Sequence, residues 1–226
     1  MDPSRNPWDE QAERYGVIIA ERERTDVTRG PLISRMLDLL GDVAGREVLD
    51  ACCGEGFFAR ILAARGARVI GLDLSPRLIQ MAQAKNPHHT IDYRVADLSR
   101  PLPDLDGRFS LIASHMALND VREYQGFAAT LASLAAPETR AVLAFNNPYS
   151  LVVRGHIADY FDSGAIGVYG GLREMGVEAP YVHRTLEEYL DAFLTAGFRL
   201  AKLVDVPHAP GVVRFPSLMI LAFDRP

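Results

Sequence analysis

The sequence predicts an α/β fold: a seven-stranded, mostly parallel sheet with helices on both faces and its last strand antiparallel. Three observations predict it. Short apolar runs alternate with helix-period segments along most of the 226 residues, the pattern of strand–helix–strand crossovers. One apolar run, Val48-Leu-Asp50, passes through a glycine turn into a helical segment. The final two runs are joined only by Asp205-Val-Pro-His-Ala-Pro-Gly211. That connection is too short for a crossover, so the two strands are expected to pair antiparallel.

Taken in order, residues 1 to about 40 read as a helical N-terminal cap. Strands are expected near 47–50, 67–72, 90–94, 109–114, 140–145, 198–205 and 217–223. Ser75-Pro76 supplies an N-cap and a proline at the first helical position, opening a helix to about Lys85. Thr185 with Glu188 forms a capping box. Behind it Leu186, Tyr189, Leu190, Phe193 and Leu194 form one apolar face, and Gly197 stops the helix. Residues 147–182 break the alternation with glycines and aromatics, among them Tyr160, Phe161, Tyr169 and Tyr181. A long irregular insertion in a compact domain is usually a binding element. Ligands of open α/β sheets sit beyond the carboxyl ends of the strands. The cap and the insertion are therefore expected to close over a pocket as a lid, within a single domain spanning 1–226.

The net charge of −5 argues against a nucleic-acid backbone or an anionic membrane as the main partner. The polar start lacks the apolar core of a signal peptide. No apolar run approaches the ~20 residues that span a bilayer. A cytoplasmic protein is expected. Cys52 and Cys53 are adjacent, which strains a mutual disulfide. Two thiols also fall short of a structural zinc site, so both read as small turn residues in a reducing compartment. Oligomeric state is not legible, though a homodimer is compatible with the chain.

The chemistry concentrates at Val48-Leu-Asp-Ala-Cys-Cys-Gly-Glu-Gly-Phe-Phe-Ala-Arg60. An acid just before a glycine turn suits a ligand that brings a cation there. Gly54 and Gly56 let the backbone approach that ligand closely, and the following helix N-terminus favours a carboxylate. S-adenosylmethionine carries both an ammonium and a carboxylate. The stretch resembles motif I, Asp-x-Gly-x-Gly-x-Gly, of the class I S-adenosylmethionine-dependent methyltransferases, with Cys52 in place of the first glycine. Gly54-x-Gly56-x-x-Ala59 followed by Asp73 also satisfies a dinucleotide-binding fingerprint. There, however, the strand normally runs apolar into the first glycine, without a carboxylate like that of Asp50.

The resemblance implies a Rossmann-like sheet and a cofactor cradle. Asp50, Ala51, Cys52, Gly54 and Gly56 form its first edge. Asp73, with Leu74 behind it, is placed to accept both ribose hydroxyls. Asp97 is expected to take the adenine amino group, with the Leu98 backbone against the ring. Ser114 and His115 end the fourth strand, where backbone holds the donor's ammonium, and Tyr15 from the N-terminal segment caps the donor. His115, titrating near neutrality, is a candidate general base.

Tyr181-Val-His183-Arg184-Thr185, with Ala196-Gly197-Phe198, resembles the closing segment of the ubiquinone/menaquinone-biosynthesis methyltransferases. It makes His183 a second candidate base. Asn146-Asn147-Pro148-Tyr149 looks like the Asn-Pro-Pro-Tyr motif of amide and adenine methyltransferases. It follows the fifth strand instead of the fourth and is read as a coincidence that places polar groups over the pocket. Ser114, His115, Asn146 and Asn147 stand where metal-dependent catechol-type enzymes place carboxylates, so no metal is expected. The expected function is methyl transfer from S-adenosylmethionine to a small-molecule acceptor in biosynthesis. The alternatives are a sensor or cyclase that binds the same ligand without methyl transfer, and an NAD-dependent oxidoreductase.

Overall fold

Period-two alternation on each central strand sends one residue to either face of the sheet, and the core divides accordingly. The structure, a computed structural model, describes residues 6–25, 29–86, 91–207 and 215–226. Strands β1 (Glu47–Ala51), β2 (Arg68–Asp73), β3 (Ile91–Val95), β4 (Phe109–His115) and β5 (Ala135–Asn146) run parallel. Near the end of the chain come β8 (Arg199–Val206) and β9 (Leu218–Arg225). The sheet order is β3-β2-β1-β4-β5-β9-β8. Strand β9 is antiparallel to both neighbours, as the short connection predicted. Residues 208–211 of that connection, residue 90, and residues 1–5 and 26–28 of the expected cap lie outside the described residues.

Leu49, Ile70, Ile112, Leu143 and Leu221 face one side. There they meet Phe127 and Leu131 of α6 (Tyr124–Leu134) and Tyr189 and Phe193 of α9 (Leu186–Thr195). Their neighbours Val48, Val69, Leu111, Val142 and Ile220 face the other side. These pack on α3 (Arg29–Leu40), α4 (Phe57–Ala63) and α5 (Pro76–Ala84). Both predicted caps are present. The Leu78 N–H donates to Ser75 Oγ at 3.2 Å. The Thr185 and Glu188 side chains exchange bonds with each other's backbone N–H groups. Leu194, expected on the buried face of α9, is instead 47 % exposed.

The N-terminal segment forms α1 (Pro7–Glu10) and α2 (Ala12–Thr25) ahead of α3. The insertion, expected to be irregular, contains α7 (Pro148–Val153), α8 (Gly170–Arg173) and an antiparallel ribbon of β6 (Ile166–Val168) and β7 (Pro180–Val182). The two segments bond directly. Gln11 Nε2 donates to the Glu178 carbonyl at 2.7 Å, the Glu178 N–H donates back to Gln11 Oε1 at 2.5 Å, and Arg14 reaches the Gly176 carbonyl. Buried Ile18, Leu172, Val177 and Ala179 form the apolar patch between them.

Candidate functional site

A cavity of about 870 Å³ opens where β1 and β4 lie side by side at their carboxyl ends, the position at which open α/β sheets bind ligands. Its floor is the glycine turn. Cys52 has φ 59°, Gly54 φ 57° and Gly56 φ 84°. The non-glycine Cys52 therefore holds a left-handed conformation costing about 1–2 kcal/mol, which a glycine there would not incur. A Cβ on Gly54 would meet nothing within 4 Å, whereas one on Gly56 would lie 2.2 Å from the Tyr93 hydroxyl oxygen. Gly54 thus opens toward the cavity. Gly56, predicted to touch the ligand, is not among the lining residues and serves close packing against Tyr93.

Asp50 is 1 % exposed, and neither carboxylate oxygen has a hydrogen-bond partner among the described residues. Burial, opposed by the nearby Ala59 N–H and by Arg60 and reinforced by the charges of Asp73 and Glu55, pushes its carboxyl up to about 8. An orphaned buried carboxylate is costly unless a ligand completes it. Asp73, at the end of β2, is better supported. Its Oδ2 accepts the Gly54 N–H at 2.8 Å and its Oδ1 the Ser75 N–H at 2.9 Å. Burial still raises its carboxyl above the ordinary range. The turn and β2 are therefore tied through the carboxylate that was expected to receive the ribose.

Asp97 and Leu98 both line the cavity. Asp97 also accepts the Ser99 N–H and hydroxyl on Oδ1 and pairs with Arg100 at 3.1 Å. Cys52, Leu74 and Tyr15 line it too, with Tyr15 edge-on to Trp8 at 5.0 Å between centroids. So does His115, whose ring stacks on Phe58 at 5.5 Å and tilts against Phe57.

Four expected residues are not brought to the cavity wall. Ala51 and Ser114 are fully buried behind it, because alternation turns side chains next to lining positions into the sheet. Gly56 is the third. His183 is the fourth: it is fully buried, with Nε2 at 2.8 Å from the Tyr160 carbonyl. Its backbone bonds Ala165 and Gly164, so it secures the insertion from within. Asn147 also turns away, its Oδ1 capping α7 through the Tyr149 N–H at 3.0 Å and its Nδ2 bonding Asp205.

Sequence reasoning missed other lining residues. Asp9 bonds the Ser75 hydroxyl at 2.6 Å and the Arg77 N–H at 2.9 Å, seating α1 on the start of α5. Ile166, Pro180 and Val182 bring the ribbon to the cavity. Asp120, five residues beyond His115, accepts the Tyr169 hydroxyl at 2.6 Å. No local pattern marks Asp120, since its partner lies in the insertion. Asp9, Glu10, Asp50, Glu55, Asp73, Asp97, Asp120 and Glu123 line the cavity, against Arg122 as the single arginine or lysine among the described lining residues. Asp9, Glu55 and Asp97 are already paired, with Arg77, with Arg60 and Lys85, and with Arg100, so attraction for a positively charged ligand falls chiefly to Asp50, Asp73 and Asp120.

Comparison with known proteins agrees with this geometry. Residues 48–138 match the family described as methyltransferase domain. Demethylmenaquinone methyltransferase of Tropheryma whipplei is 35% identical over 116 residues, covering 50% of this chain and 48% of that protein. Ubiquinone biosynthesis O-methyltransferase of Chromobacterium violaceum is 29% identical over 109 residues, covering 47% of each. The chain thus spans about half the length of these curated relatives. An S-adenosylmethionine-dependent methyltransferase structure from Mesorhizobium loti superposes with a TM-score of 0.73 at 24% identity, over 88% of this chain and 99% of that one. Residues 48–138 thus resemble a methyltransferase domain, and the sheet order and superposition give the chain the fold of S-adenosylmethionine-dependent methyltransferase structures. In sequence it resembles the quinone-biosynthesis methyltransferases.

Proposed function

We propose that this chain binds S-adenosylmethionine in the 870 Å³ cavity and methylates a small-molecule acceptor held beneath the N-terminal segment and the insertion. The observation that carries the reading is Asp50, a buried carboxylate that no side chain hydrogen-bonds, beside an open glycine turn. Bound there, the cofactor supplies a methyl group on a positively charged sulfonium. Asp50 would pair with its ammonium. The Asp73 oxygens, each already holding one backbone N–H, have lone pairs left for the ribose hydroxyls. Leu74, Asp97 and Leu98 would flank the adenine. Cys52 and Gly54 form the floor. Ala51 and Ser114 would act through backbone alone, and Tyr15 with Trp8 would cover the donor from above.

The chain's catalytic contribution is then mainly alignment and exclusion of water, because a sulfonium is already an excellent leaving group. His115 fits as a fixed wall of the acceptor space, held by Phe57 and Phe58, and His183 is left out of the chemistry. The acidic lining disfavours acceptors that carry phosphate or carboxylate, and the relatives named for quinone methylation support a phenol-like one. The dinucleotide reading is disfavoured by Gly56. The second glycine of that fingerprint should admit pyrophosphate, yet the space beside it holds the Tyr93 ring. The reduced cysteines fit a cytoplasmic setting. The test is formation of S-adenosylhomocysteine from S-adenosylmethionine with a panel of hydroquinones, phenols and amines. Donor-dependent product with any neutral member supports the reading. Tight donor binding with no product across the panel favours a binding role without transfer.

A further inference from the structure

The least explained group on the cavity wall is Asp120. It follows β4 on a turn, is partly buried and lines the cavity. Its Oδ1 accepts the Tyr169 hydroxyl at 2.6 Å. Tyr169 comes from the insertion, 49 residues away in sequence. The neighbouring backbone is fixed as well. The Val182 N–H donates to the Asn119 carbonyl at 2.8 Å, and Asn119 Oδ1 accepts the Asn146 N–H at 2.9 Å. The insertion therefore delivers a hydroxyl to a carboxyl that lines the cavity.

We propose that Asp120, oriented by Tyr169, receives the proton given up by the acceptor's O–H or N–H nucleophile. The inference rests on the methyl-transfer reading and adds the acceptor's chemical class, a neutral protic nucleophile such as a phenol or an amine. In the step, the nucleophile's lone pair forms the bond to the methyl carbon and the carbon–sulfur pair returns to sulfur. The O–H or N–H proton passes to the Asp120 carboxylate and later to water.

The surroundings tune this carboxyl for that role. The groups acting on it are Tyr169 on the insertion and Asp73 at the end of β2, while its own charge acts on Cys52 in the glycine turn and Tyr189 on α9, with His115 on the same wall. Burial pushes the Asp120 carboxyl well above its usual range, the Tyr169 hydrogen bond opposes this, and the charge of Asp73 adds to it. Burial thus favours the protonated form of the ligand-free carboxyl. A sulfonium in the cavity favours the ionised form, shifting the carboxyl toward its basic form when the methyl donor is present. The neutral thioether of the product withdraws that support.

This gives a test that needs no acceptor. The protein is titrated at pH 7.5 with S-adenosylmethionine and with S-adenosylhomocysteine, each in two buffers of different ionisation enthalpy, and the protons released are compared. Both ligands share the ammonium, carboxylate and adenosyl groups, so the difference isolates the sulfonium. The unaltered protein should release more protons with S-adenosylmethionine. Asp120→Asn should abolish the excess while still binding both ligands, and His115→Gln should keep it. Tyr169→Phe, which removes the hydrogen bond favouring the charged form, should move the excess to higher pH. Equal release by the unaltered protein, an excess that survives in Asp120→Asn, or one lost in His115→Gln overturns the assignment. If neither ligand binds the unaltered protein, the methyl-transfer reading itself falls.

Discussion

Replacing Asp50 with asparagine should change how the ligand-free protein's stability responds to pH. In the folded protein burial lifts this carboxyl from an ordinary 3.8 to about 8. Between those values the unfolded chain has lost the proton and the folded chain keeps it. Folding therefore takes up a proton, and the stability tied to this group, complete below about pH 4, is lost as pH rises toward 8. Asparagine cannot ionise. At ~1.36 kcal/mol per unit, linkage between pH 5 and pH 8 amounts to ~3–4 kcal/mol at most. Water entering the cavity solvates the carboxylate and reduces this, so an advantage for Asp50→Asn that grows by at least ~1 kcal/mol is expected. Urea denaturation of both proteins at pH 5 and pH 8, without ligand, measures it. A gap that stays constant between the two pH values would show that Asp50 is solvated and ionised, and would remove the argument that a cationic ligand completes it. The same variant should bind S-adenosylhomocysteine at least ~10-fold more weakly, since its ammonium loses a buried counter-charge.

The two motif glycines should separate cleanly. Gly56→Ala places a methyl against Tyr93 at a φ of 84° and should cost ~2–4 kcal/mol in chemical denaturation. Gly54→Ala meets open space, so it should cost only ~1–2 kcal/mol yet weaken S-adenosylhomocysteine binding in calorimetry. Asp73→Asn keeps the side-chain shape but removes the charge that holds the Gly54 and Ser75 N–H groups. A loss of at least ~10-fold in affinity for the same ligand is expected. Thr185→Ala breaks the capping box of α9 and should lower stability by ~1 kcal/mol in urea denaturation while leaving ligand affinity unchanged.

Sequence carried the sheet because its signals are local. Period-two alternation, Ser75 before Pro76, and the Thr185–Glu188 box each need only neighbouring residues. The antiparallel β9 followed from the shortness of a connection. What escaped depends on contacts distant in sequence. Gly56 looks like a ligand-contacting glycine until Tyr93, 37 residues later, occupies the space beside it. His183 looked available for chemistry until the insertion placed the Tyr160 carbonyl on its Nε2. Leu194 fits a helical stripe, yet it is 47 % exposed because no neighbouring element among the described residues covers that end of the stripe fully. The ribbon of β6 and β7 is only three residues per strand, too short for alternation to register. Asp120 gains its distinction solely from Tyr169.

The account turns on what fills the cavity between Asp50 and Asp73. The direct measurement is calorimetric titration of the unaltered protein with S-adenosylhomocysteine, with NADH as the parallel titrant and Asp73→Asn as the control. Micromolar binding of S-adenosylhomocysteine, weakened by Asp73→Asn, with no heat from NADH, is the predicted result. Binding of NADH in its place, or S-adenosylhomocysteine binding indifferent to Asp73, would contradict the account.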